Sequence, residues 1–95
     1  MTLDKTIERI IKFREDRKWQ PFHTPENLSK SITIEAAELL ENFQWGKEAD
    51  FENMKEEIAD ILIYAFLFAD AIGVDPLRVI NDKLDVNDQR FPIEA

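Results

Sequence analysis

Four carboxylates are the residues of this chain best placed to do chemistry: Glu35 and Glu38, then, after 18 intervening residues, Glu57 and Asp60. Each pair is spaced i, i+3, so its two members converge on one side of a helix. Spacing alone does not single them out, because the chain has 20 acidic residues and Glu38/Glu41, Asp82/Asp85 and Asp85/Asp88 repeat it. Their surroundings do. At about 100° per residue, Leu28, Ile32, Ala36, Leu39 and Phe43 form one apolar stripe, with Glu35 about 60° from its centre, Glu38 at about 120° and Glu41 opposite. By the same arithmetic Glu57, Asp60 and Tyr64 fall within about 60° and make a polar strip on an otherwise apolar cylinder. Carboxylates gathered near a bundle interior need protons, cationic partners or a metal. Only Lys55 stands close in sequence. Hard oxygen ligands suit Mg²⁺, with Mn²⁺ as a substitute, and a lone His23 with no cysteine argues against zinc.

The elements that must carry these residues are helices. Leu3, Ile7, Ile10, Ile11 and Arg14 follow helical spacing and predict a first helix over about Thr2 to Lys18. Pro21 and Pro25 interrupt the chain, and Thr24-Pro25-Glu26 reads as a cap, first-turn proline and favourable acid for a second helix to about Gln44. Trp45-Gly46-Lys47 breaks the pattern. A third helix is predicted over about Phe51 to Ile72, stopped by Gly73, and Asp75-Pro76 starts a fourth that runs towards Asp88. No stretch alternates as a strand does, so the fold class is all-α, a four-helix antiparallel bundle. From Ile58 to Ile72 apolar residues surround the third helix, which therefore has to be covered on nearly all sides. Either it is central in a monomer or third helices of several copies pack together, and the small size of the chain favours the homo-oligomer.

Composition sets the outer bounds. Ninety-five residues, 44% hydrophobic, with two glycines, fit a single domain over 1–95. The absence of cysteine fits a reducing cytoplasm and excludes a thiol nucleophile. The start lacks a signal-peptide layout, and the longest apolar run is too short for a bilayer and contains Asp60, so a membrane role is not expected. A formal net charge of −8 argues against broad nucleic-acid binding. An anionic substrate would need locally gathered cations or a metal.

With the two acidic pairs in place, the chain resembles the MazG-like members of the all-α nucleoside triphosphate pyrophosphohydrolase superfamily. Their signature, ExxE followed a helix later by ExxD, stands here as Glu35-Ala-Ala-Glu38 and Glu57-Ile-Ala-Asp60. The resemblance extends over Phe13-Arg14-Glu15, Trp19-Gln-Pro-Phe-His23, Phe43-Gln-Trp45, Ile63-Tyr64 and Lys83-Leu-Asp-Val-Asn87-Asp-Gln-Arg90-Phe-Pro, and is greatest to the dCTP pyrophosphatase subgroup.

This resemblance implies a Mg²⁺ site formed by Glu35, Glu38, Glu57 and Asp60. It implies hydrolysis of a nucleoside triphosphate to monophosphate and pyrophosphate, with dCTP or a modified dCTP as substrate, nucleotide-pool house-cleaning as the role, and a tetramer rather than a dimer. Glu38 is the preferred carboxylate for orienting or deprotonating water. Trp19, His23 and Trp45 are expected to line the base and sugar pocket by resemblance; on residue type alone each tryptophan could instead cover the bundle end, and His23 could be a loop hydrogen-bonding residue. Tyr64 is either near the sugar or phosphate or a core tyrosine. Lys83, Asn87 and Arg90, at i, i+4 and i+7, suit a polyphosphate if the fourth helix continues, and otherwise belong to a frayed end. Two other readings stand beside this one: a non-catalytic helical oligomer that binds metal or nucleotide, and a related dUTP or phosphoribosyl-ATP pyrophosphohydrolase.

Overall fold

Each helix of the chain begins at a side-chain cap. A computed structural model describes residues 1–46 and 48–94; within the Trp45-Gly46-Lys47 break, Lys47 lies outside the described residues. The helices are α1 (Leu3–Asp16), α2 (Pro25–Glu41), α3 (Phe51–Ala71) and α4 (Pro76–Arg90), with a short 3-10 turn at Gln20–Phe22. Thr2, Thr24, Asp50 and Asp75 accept hydrogen bonds from main-chain N–H groups of the first turns they precede, and Pro25 and Pro76 follow their caps directly. Among the described residues there is no strand, and no helix is long and apolar enough to cross a membrane.

Three helix ends differ from the sequence expectation for local reasons. Lys18 takes a left-handed φ of 57°, so α1 stops at Asp16. After Glu41 the N–H groups of Asn42, Phe43 and Gln44 reach back only three residues, so α2 tightens into turns before Gln44. The helix α4 continues to Arg90. The end of α3 follows expectation: Gly73, at φ 75°, turns the chain while the N–H of Val74 bonds to the carbonyl of Ala69.

The pair α2 and α3 is the main packing unit of the chain, with α1 and α4 laid against α3. Asn42 fixes how the two main helices meet. Its amide nitrogen donates to Asn53 Oδ1 at 2.9 Å, and its amide oxygen accepts the N–H of Asp50 at 3.2 Å, tying the end of α2 to the start of α3. Leu28, 1% exposed, and Leu67 and Ala69 on α3 form the buried apolar centre. Beyond that centre many apolar side chains lie open: Ile34 and Leu40 of α2, Phe43 just after it, Ile58 and Leu62 of α3, and Ile80 and Leu84 of α4 are all exposed. The radius of gyration is 16.1 Å, against about 12 Å for a compact chain of this length. The accessible surface is 7748 Å², against roughly 5,700 Å² for a compact monomer of this mass.

Candidate metal centre and adjoining cavity

The register of α2 against α3 brings Glu35, Glu57 and Asp60 together, with one carboxylate oxygen of each within 4.8 Å of the others. Glu57 is 8% exposed and Glu35 half-buried, while Asp60 opens to solvent. A hydrogen bond with Glu57 pushes the Glu35 carboxyl up to about 7; burial and the neighbouring Glu38 add to the effect. Glu35 therefore holds a proton more readily than an isolated carboxyl. Glu57 Oε2 is buried and has no hydrogen-bond partner. An orphaned buried anionic oxygen amid two more carboxylates is the donor set of a hard divalent cation, and the three residues fit one.

Glu38 sits at the margin. It is close enough to raise the Glu35 carboxyl, yet no oxygen of it joins the three-carboxylate group. It also borders an acidic recess shared with Glu41, Asn42 and Asp50. Glu38 thus stands beside the cluster and next to Glu35, not in it.

Asp60 leads into a cavity of about 270 Å³. The floor is one face of α3, formed by Asp60, Ile63, Tyr64 and Leu67, spaced as neighbours on a helix. The wall is Phe13 and Arg14 from α1, followed by Trp19 and His23 from the turn around the 3-10 segment. The aromatic wall is continuous: the Phe13 and Trp19 rings meet edge to face with centroids 5.7 Å apart, and Trp19 and His23 are also 5.7 Å apart. Burial, and then the Arg14 charge, hold the His23 imidazolium below its ordinary pKa, so its neutral form is favoured. Its Nδ1 is buried and unpartnered. Burial, then Glu35 and Asp60, push the Tyr64 phenol up, which keeps the hydroxyl protonated as a donor.

The remaining candidates stand apart from this centre. Trp45 is 85% exposed and takes a left-handed φ of 63° in the connection after α2. Lys83, Asn87 and Arg90 share one side of α4, as expected from a helix that reaches Arg90, and none of them lines the cavity. The sequence reading did not single out Phe13 or Arg14 as site residues. A signal for Arg14 was present, because a cation occupies a position in the apolar register of α1.

The MazG-like family model matches residues 30–95. The chain is 35% identical over 102 residues to dCTP pyrophosphatase 1 of Rattus norvegicus, an alignment covering 97% of this chain and 60% of that protein. It is also 35% identical over 102 residues to dCTP pyrophosphatase 1 of Homo sapiens, with coverage of 96% and 59%. The chain thus spans about 60% of the length of these relatives. Among solved structures, a pyrophosphatase from Archaeoglobus fulgidus DSM 4304 superposes with a TM-score of 0.82 at 36% identity, covering 96% of this chain and 93% of that one.

Proposed function

The chain belongs to the MazG-like family, and from that premise we propose that it hydrolyses deoxynucleoside triphosphates to monophosphate and pyrophosphate, with dCTP or a modified dCTP as substrate and Mg²⁺ as cofactor. The observation that carries this reading is the double membership of Asp60, which belongs both to the carboxylate cluster and to the floor of the aromatic cavity. A base held between Trp19 and Tyr64 would present its phosphates towards the carboxylates. The names of the mammalian relatives and of the archaeal structure support the same reaction class.

Glu35, Glu57 and Asp60, with Glu38 at their edge, would hold the metal. Bound there, Mg²⁺ (or Mn²⁺) supplies neutralisation of phosphate charge and a more acidic water. The side chains of the protein do the rest. Trp19 offers a stacking face to the base, and neutral His23 offers one donor and one acceptor. The Tyr64 hydroxyl donates to the sugar or phosphate. Glu38 orients the attacking water and accepts its proton as the water oxygen bonds to the α-phosphorus and the bond to the bridging oxygen breaks, releasing pyrophosphate. Lys83, Asn87 and Arg90 contact the polyphosphate, and Trp45 completes the base pocket.

These last four residues require an assembled protein, and we read the chain as a homo-oligomer, a tetramer rather than a dimer. The support is the excess of roughly 2,000 Å² of exposed surface over a compact monomer, together with the exposed apolar side chains of α2, α3 and α4. The role that fits is nucleotide-pool house-cleaning in the cytoplasm by one domain.

The test is a panel of canonical and 5-modified deoxynucleoside triphosphates with and without Mg²⁺, scoring monophosphate and pyrophosphate. Mg²⁺-dependent release of both products, highest for a cytosine nucleotide, is expected. Turnover of none of them would overturn the reading and leave a non-catalytic binding oligomer.

A further inference from the structure

Arg14 is the only buried basic side chain among the described residues, 6% exposed. Its guanidinium reaches across to the far end of α3, with Nη1 2.8 Å from Asp70 Oδ2, and lies more loosely against Glu15 at 3.7 Å. Its Nε is buried without an acceptor. Withdrawing such a cation from water costs several kcal/mol, and hydrophobic residues of similar volume often replace buried ion pairs without loss of stability. Stability alone therefore does not account for an arginine here.

Its position does. The carbonyl of Arg14 accepts the N–H groups of Arg17 and Trp19, each at 3.2 Å. Lys18 between them holds the left-handed conformation that turns the chain back. One residue is thus fastened by its side chain to α3 and by its main chain to the segment carrying Trp19. Asp60, Ile63, Tyr64, Leu67 and Asp70 follow one another along the same side of α3, so Asp70 stands about 15 Å along the helix from Asp60, and Arg14, which it holds, lines the cavity between them.

We propose that Arg14 and Asp70 are positioning residues of the base subsite, a clamp that ties the Trp19 turn to α3 and sets the distance between the Trp19–His23 wall and the Tyr64 floor. Neither residue belongs to the carboxylate cluster. It acts through Trp19, and so governs substrate capture and base selectivity while leaving the hydrolytic step alone. This rests on the proposed triphosphate reading.

The test compares Asp70→Asn, Arg14→Met and Arg14→Lys in the full chain. Asp70→Asn and Arg14→Met are expected to raise KM for the favoured triphosphate about 10-fold and narrow its advantage over purine nucleotides, with kcat kept within about twofold. Mg²⁺ affinity without nucleotide stays at the wild-type value, and Arg14→Lys, which keeps the charge, recovers most of the KM. A merely structural role would instead lower kcat and thermal stability together and leave the selectivity ratio unmoved, and that result overturns the proposal. Acrylamide quenching of Trp19, read in a Trp45→Phe background, needs no turnover. It is expected to rise in Asp70→Asn and Arg14→Met, and unchanged quenching in both would overturn the clamp even if the wild-type protein hydrolysed no triphosphate.

Discussion

Asp60 and Trp19 line the same cavity, although one belongs to the middle of α3 and the other to the turn after α1. Because Asp60 also faces Glu35 and Glu57, the cavity has an acidic, metal-suited end and an aromatic, base-suited end. The two ends can be tested separately.

At the acidic end, Glu57→Gln removes the most buried carboxylate of the cluster. Mg²⁺ binding by calorimetry should be lost, turnover should fall about 100-fold or more, and circular dichroism should still report a helical protein. Glu38→Gln should abolish turnover with a smaller loss of metal affinity, because Glu38 borders the cluster and does not complete it. Equal metal affinities in the two variants would contradict that placement.

The raised carboxyl of Glu35 gives a pH prediction whose sign is fixed. Its carboxyl is raised from 4.5 to about 7 in the fold, first by the Glu57 hydrogen bond. A carboxyl raised on folding contributes stability that is present below pH 4.5 and is lost as pH rises through about 7. In EDTA, thermal melts should therefore show falling stability across that window, and Glu57→Gln should flatten the fall. With Mg²⁺ present the protein should gain most at the alkaline end, where the carboxylates are ionised. A metal-free melting temperature that climbs steadily from pH 5 to pH 8 would count against the raised Glu35 carboxyl.

At the aromatic end, Trp19→Ala removes one stacking face, worth about 1–3 kcal/mol per base. Steady-state kinetics should show KM raised roughly 5- to 140-fold by that energy with kcat retained. A loss confined to kcat would place Trp19 outside the base subsite.

Much of this could be read from the residues themselves. Caps at Thr24 and Asp75, the prolines behind them and Gly73 mark helix boundaries through local chemistry, and local chemistry is what a sequence displays. The angular position of Glu35 beside an apolar stripe likewise anticipated its half-buried state. What stayed hidden depends on contacts distant in the chain. Asn42 bonding to Asn53 sets the α2–α3 register, and nothing local to either asparagine announces it. Arg14 finds Asp70 far along the sequence, and its burial follows from that meeting. The exposure of Trp45 and the separate position of Lys83, Asn87 and Arg90 belong to surfaces that a single chain leaves open.

Those open surfaces lead to a fourth prediction. Sedimentation equilibrium at micromolar concentration should find an assembly larger than the 11.2 kDa chain. Leu62→Arg, which places a charge on the exposed apolar side of α3, should dissociate it and lower turnover at least about 10-fold. A stable wild-type monomer would refute the assembly.

The two roles of Asp60 also have a thermodynamic consequence. A side chain that belongs to the carboxylate cluster on one side and to the cavity floor on the other would make a bound cation and nucleotide linked effectors of one another. Linkage is reciprocal, so whatever factor the cation adds to nucleotide affinity, the nucleotide returns to the cation. In the proposed function, the triphosphate would then recruit the ion needed for its own cleavage, and cofactor occupancy would rise and fall with the nucleotide pool.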